Sequence, residues 1–110
     1  MANTFKLKTK ANVGVTTVGI YTAPAATTTV VIGITMANTS GSGVNVGVAV
    51  SRTSDTQDDI SLLKNATMPQ GSSLEFMGGN KIVLETNDQI NVDSDTNNSV
   101  DAALTIMEIT

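Results

Sequence analysis

The chain contains no cysteine, no histidine and no tryptophan, and its only aromatic residues are Tyr21, Phe5 and Phe76. Without cysteine it can form neither a disulfide nor a thiolate metal site. Without histidine as well, the commonest general base, the commonest metal ligand and the strongest nucleophile are all missing. The chain is therefore read as not an enzyme, with no catalytic residues, no cofactor and no metal site. Cations are scarce too: Arg52 and five lysines stand against ten acids, for a net charge of −4. That balance argues against gripping phosphate backbones, so no nucleic-acid partner is expected. No apolar run approaches the length of a membrane span, and residues 1–10 carry no signal-peptide pattern. The product is expected to stay where it is made, with no membrane and no small-molecule substrate among its partners.

What the chain does have is alternation. Val30, Ile32, Ile34 and Met36 skip every second position, as do Val44, Val46, Val48 and Val50, and again Val100, Ala102, Leu104 and Ile106. A period of two places such side chains on one side of a pleated strand, and that side must be buried against a second layer. Val, Ile and Leu supply 26 residues, so the core is aliphatic. The 17 Thr suit half-exposed strand positions, and the 10 Asn and 9 Ser suit turns.

Turn signals recur roughly every 8–14 residues, the spacing of an antiparallel sandwich. The expected fold is all-β: a single antiparallel β-sandwich, jelly-roll or Ig-like, of about nine strands. Strands are expected over residues 5–13, 18–22, 27–37, 44–52, 60–64, 73–77, 81–85, 89–93 and 99–109. The pair 81–85 and 89–93 reads as a hairpin across 86–88. Residues 38–43 read as a turn in which Gly41 and Gly43 supply positive φ. At this length the chain is one domain, residues 1–110, with 1–12 as an N-terminal arm or edge strand.

Four constellations could carry chemistry or contacts. Asp93, Asp95 and Asn97 begin like a calcium loop, but Asn98 and Leu104 stand where glycine and glutamate are needed, so a solvated Asp/Asn turn is the better reading. Asp55, Asp58 and Asp59 form an acidic patch after Arg52 that suits loop solvation or a partner's cation better than acid–base work. Lys6, Lys8 and Lys10 share one strand face, which either deters unwanted edge pairing or docks on an acidic surface. The glycines at 41, 43, 78 and 79 lack the following helix that a phosphate loop requires and read as turns. Lys6, Lys8, Lys10, Arg52, Asp55, Asp58 and Asp59 are the expected partner contacts.

The segments Val18-Gly19-Ile20-Tyr21-Thr22-Ala23-Pro24 and Thr28-Thr29-Val30-Val31-Ile32-Gly33-Ile34 resemble the opening of a group of small tailed-bacteriophage, cyanophage-like virion proteins. Pro69-Gln70-Gly71-Ser72-Ser73-Leu74, Gly78-Gly79-Asn80-Lys81-Ile82-Val83-Leu84-Glu85 and Ile106-Met107-Glu108-Ile109 are similar to the same group in the same order. The likeness runs from about Ala11 to Thr110 and rests on turn and core residues. It implies a virion structural protein, assembled in the host cytoplasm, with a major capsid protein or other virion proteins as partners and self-association as a homo-oligomer. A capsid decoration or cement protein that stabilises the shell is the leading expectation. A tail, neck or fibre module is the alternative, and a carbohydrate-binding sandwich is the third reading.

Overall fold

The structure is a computed structural model and describes residues 3–52, 57–76 and 81–110. The described residues form nine strands and no helix: β1 (Asn3–Val13), β2 (Val18–Thr22), β3 (Thr28–Asn38), β4 (Val44–Ser51), β5 (Ile60–Met68), β6 (Ser73–Phe76), β7 (Ile82–Leu84), β8 (Gln89–Ser94) and β9 (Val100–Ile109). One sheet runs β1-β9-β3-β6, with β7 also on β3, and the other runs β2-β8-β4-β5.

All pairings are antiparallel, and five of them are nested one inside another. β4 pairs β5, β3 pairs β6 and β7, β2 pairs β8, and β1 pairs β9. The chain is thus one long two-stranded ribbon with its tip between β4 and β5. Rolling the ribbon sends successive segments to alternate sheets, and β9 then bonds to β3 and β8 to β4 to close each layer. This is the jelly roll, the first of the two sandwich types the alternation allowed.

The core lies between the layers. Val31, Ile34, Met36, Leu84, Ala102, Leu104 and Ile106 face Tyr21, Val44, Val46, Val48, Val50, Ile90 and Val92, all buried. β4 and β9 follow the period of two as expected. β3 does not keep it throughout. Its register shifts between Val31 and Gly33, so Val31 and Ile34 point inward while Val30 and Ile32 are only half-buried. The row Val30, Ile32, Ile34, Met36 is therefore broken by a β-bulge, whose extra residue lets the inward set change parity.

The expected hairpin over 81–93 is also not formed. β7 lies on β3 in the first sheet and β8 between β2 and β4 in the second. The turn between them crosses from layer to layer and is tied to the end of β2, with Asn87 N donating to Ala23 O (2.8 Å) and Ala23 N to Asp88 O (2.9 Å). Asn87 adopts φ 71°, a conformation Asn tolerates better than most residues. β5 runs to Met68, longer than the alternation alone indicated, because Asn65 at φ 54° sits at a ladder irregularity beyond which pairing resumes.

Residues 38–43 likewise cross between sheets. Neither Gly41 nor Gly43 has positive φ. The corner is closed by Asn38, whose Nδ2 donates to Ser42 O (2.9 Å), Met68 O (3.1 Å) and Pro69 O (3.2 Å) while Oδ1 accepts from Ser40 N (2.9 Å). Gly71 is the glycine that does need its freedom: it takes φ 73° in the Pro69–Ser72 turn. The turn at 78–80 lies outside the described residues.

Candidate interaction surfaces

β1 is an edge strand with both faces largely exposed. Lys6, Lys8 and Lys10 pair with Ile106, Leu104 and Ala102, so the lysines lie on the side of the sheet that faces the core elsewhere. Phe5 and Leu7, on the opposite side, are 68% and 63% exposed.

Beneath Lys6 lies a buried polar chain. Lys6 Nζ is 2.8 Å from Glu108 Oε1, and the Glu108 side chain is 8% exposed. The Tyr21 hydroxyl donates to Glu108 Oε2 (2.6 Å) and lies 2.7 Å from Thr29 Oγ1. Hydrogen bonds from Lys6, then from Tyr21, hold the Glu108 carboxyl below its ordinary pKa. Burial, reinforced by the hydrogen bond to Glu108, pushes Tyr21 up to about 12. The group joins β1, β9, β2 and β3, and so stitches both layers together.

Arg52 is committed internally. Its Nη2 lies 2.7 Å from Glu85 Oε1, and its Nε lies 2.8 Å from Oδ2 of the buried Asp88, without hydrogen-bond geometry. The contact with Asp88 is therefore a charge pair, and together these groups latch the end of β4 to the β7–β8 corner. Asp59 turns back on the same segment, accepting from Arg52 N (2.6 Å). Asp58 is exposed, and Asp55 lies outside the described residues. The lysines head the β1 edge of one sheet, whereas Asp58 and Asp59 precede β5, the far edge of the other. The two sets of expected contacts therefore do not converge.

The described residues border several open hollows. One of ≈ 410 Å³ is bordered by Thr27, Arg52, Glu85 and Asp88, whose charges already satisfy one another. Asp93 and Asp95 serve the turn network, accepting from Thr17 Oγ1 (3.3 Å) and Asn45 N (3.1 Å). Among the described residues no group of three His, Cys, Asp or Glu could hold a metal ion. Sequence reasoning did not single out Glu108 or Asn38. The one signal for Glu108 was its position in register with Ala102, Leu104 and Ile106, where an acid breaks an inward apolar row.

The feature with most surface behind it is the outer face of the first sheet. Phe5, Met107, Val30 and Val83 lie in one cross-strand row over four strands. Val83 is 55% exposed. Four residues further along β1 lies a second row, Thr9, Ala103 and Thr35, beside a hollow of ≈ 340 Å³ that Lys10, Ala11, Ala37 and Asp101 also line. The second sheet's outward positions are polar or small, including Gln89, Asn91, Asp93, Asn45, Gly47, Ser51 and Ser61.

The fold is thus a jelly roll with several exposed apolar side chains gathered on the outer face of one sheet. Solved structures with this architecture include a subunit of Bacillus endospore appendages described as disulfide-linked pili, with TM-score 0.58, 12% identity, and 99% of this chain and 87% of that one covered. They also include a chain of the infectious bursal disease virus T13 particle, with TM-score 0.58 and 11% identity, and one of the Gx strain of that virus, with TM-score 0.56 and 14% identity. Each viral match covers 96% of this chain but 30% and 32% of the viral chain, so this protein spans about a third of their length. No family model and no curated protein matches the sequence.

Proposed function

We propose that this chain is a virion structural protein of a tailed bacteriophage, bound to the outer head surface as a decoration or cement protein. The observation that carries the reading is the run of exposed apolar side chains on the outer face of the first sheet, on a sandwich whose buried carboxylates, Glu108 and Asp88, are paired within the fold. Such a surface buries area against a neighbour and gives no chemistry to a substrate. The likeness to chains of an icosahedral virus particle and of an appendage supports a part that works by assembly, and the phage-like segments support the virion. Many copies on a symmetric lattice add weak contacts into firm attachment, and binding the assembled shell in preference to free subunits stabilises it by mass action.

The test is thermal. Particles carrying the protein melt at higher temperature than particles stripped of it, and re-addition restores the difference. Equal melting temperatures refute the cementing role. The match over 87% of an appendage subunit favours a tail, neck or fibre position as the second reading. Copy number separates the two, since a head decoration is present in hundreds and a tail ring in multiples of about six. The sugar-binding reading has less behind it: Tyr21 is buried, which leaves Phe5 as the exposed aromatic among the described side chains.

A further inference from the structure

Antiparallel sheets in sandwiches pair one buried face with one polar, solvated face. The second sheet obeys this, whereas the first sets large apolar side chains among the threonines and other polar residues of its outward face. On the outward side of the first sheet, β1 contributes Phe5 and Leu7, β9 Ile109, Met107 and Ala103, and β3 Val30 and Ala37. Among the described strand residues that face outward there, the only charges are Asp101 and Glu75, both toward one end. Lys6 and Lys8 lie on the other side of the strand, and Lys10, also on that side by register, borders the hollow beside Ala103 together with Asp101.

We infer that this face packs against the same face of a second copy of the chain, across a two-fold axis lying in the plane between them and perpendicular to the strands. This deepens the reading of an assembling structural protein and rests on it only in taking contact as the chain's task. Three features favour a second copy as the occupant.

The first is area. Four strands at ~4.8 Å spacing and about eleven residues at ~3.4 Å give a face of roughly 700 Å², close to the ~800 Å² that each partner gives to a standard interface. The second is relief. The large side chains of the Phe5–Met107–Val30 row lie to one side of the level of Leu7, Thr105 and Gly33, and the small ones of Thr9, Ala103 and Thr35 lie equally far to the other. A two-fold axis at that level sets the bulky row of each copy over the small row of the other, with the Phe5 ring above the hollow beside Ala103. The third is charge. The axis carries Asp101 and Glu75 of one copy toward the apolar end of its mate, so the acids of the two copies stay apart although each chain has net charge −4.

The measurement is the mass of the full-length chain in solution over a concentration series, by light scattering. The expected mass is twice 11.3 kDa. Phe5→Asp, at an exposed position, returns it to the monomer with an unchanged melting temperature of the monomeric fold. Ala103→Phe fills the receiving hollow and does the same without touching Phe5. Because the chain has no cysteine, Leu7→Cys supplies one thiol that lies beside its own mate at the axis. Facing sheets stand ~10 Å apart, beyond disulfide reach, so a short bis-maleimide is the reagent. It yields covalent dimer from Leu7→Cys and none from Ser61→Cys on the outer side of the second sheet.

A chain that stays monomeric at all concentrations, or a dimer indifferent to both Phe5→Asp and Ala103→Phe, overturns the inference. A monomer whose binding to phage particles is lost with Phe5→Asp also overturns it, assigning the face to the shell and leaving the proposed function standing. A dimer built on this face that neither binds nor stabilises particles upholds the inference and removes the proposed function.

Discussion

The Lys6 ammonium and the Glu108 carboxylate meet across the β1–β9 ladder at 2.8 Å, where an exposed edge strand lends its charge to an acid set in an otherwise apolar row. Taking away one member of such a pair leaves the other's burial uncompensated.

Glu108→Ala therefore destabilises the fold by about 3 kcal/mol, because the Tyr21 hydroxyl loses its acceptor as well. Lys6→Ala strands the buried Glu108 carboxylate and costs somewhat less, about 2 kcal/mol, because the Tyr21 hydroxyl still donates to it. Chemical denaturation of both variants checks the order.

The same group sets two pH limits. Glu108 has a lowered pKa when folded, so its contribution is present above the ordinary carboxylate range and disappears as pH falls through the folded value. Tyr21 has a raised one, so its contribution is intact below pH 10 and disappears as pH climbs toward about 12. Stability measured against pH falls on both sides, and Tyr21→Phe flattens the alkaline fall and also shrinks the acid one, because it removes the second of the two hydrogen bonds that hold the Glu108 pKa down, leaving that from Lys6.

Asn38→Asp is more damaging than its size suggests. It replaces a donor aimed at three carbonyl oxygens with a carboxylate oxygen and sets lone pairs against lone pairs. A loss of about 3 kcal/mol is expected, against about 2 for Asn38→Ala, read from denaturant midpoints.

Arg52→Met leaves the buried Asp88 without its cation and costs about 2–3 kcal/mol. Glu85→Gln, on the exposed side of the same arginine, changes stability by less than about 0.5 kcal/mol. Equal effects from the two would show that the latch does not depend on burial.

Gly71→Ala forces a side chain into φ 73° and costs about 1 kcal/mol. Gly41→Ala, in open space and without positive φ, is neutral or slightly stabilising by melting temperature.

The layers and most strands were legible because β4 and β9 keep an unbroken period of two from Val44 to Val50 and from Val100 to Ile106. β3 misled because a bulge changes parity without leaving any mark in composition, and Val30 is as apolar as Val31. The supposed hairpin failed because a three-residue link fits a corner between layers as well as a turn within one. Asn38 and Glu108 were missed because each works through partners distant in sequence, at Met68 and at Lys6 and Tyr21. The lysine row was read correctly as one face of a strand, but only the register revealed that this face looks toward the sandwich interior.

The place of β9 between β1 and β3 has a kinetic cost. The middle strand of that layer is the last one a ribosome delivers, and it must find a mate near the opposite end, with Asn3 facing Ile109. Until then β1 lacks its β9 neighbour and β3 is paired on one edge only, a window in which nascent chains are prone to clump. Slow folding and better yields at low growth temperature are the natural companions of so long-range a pairing.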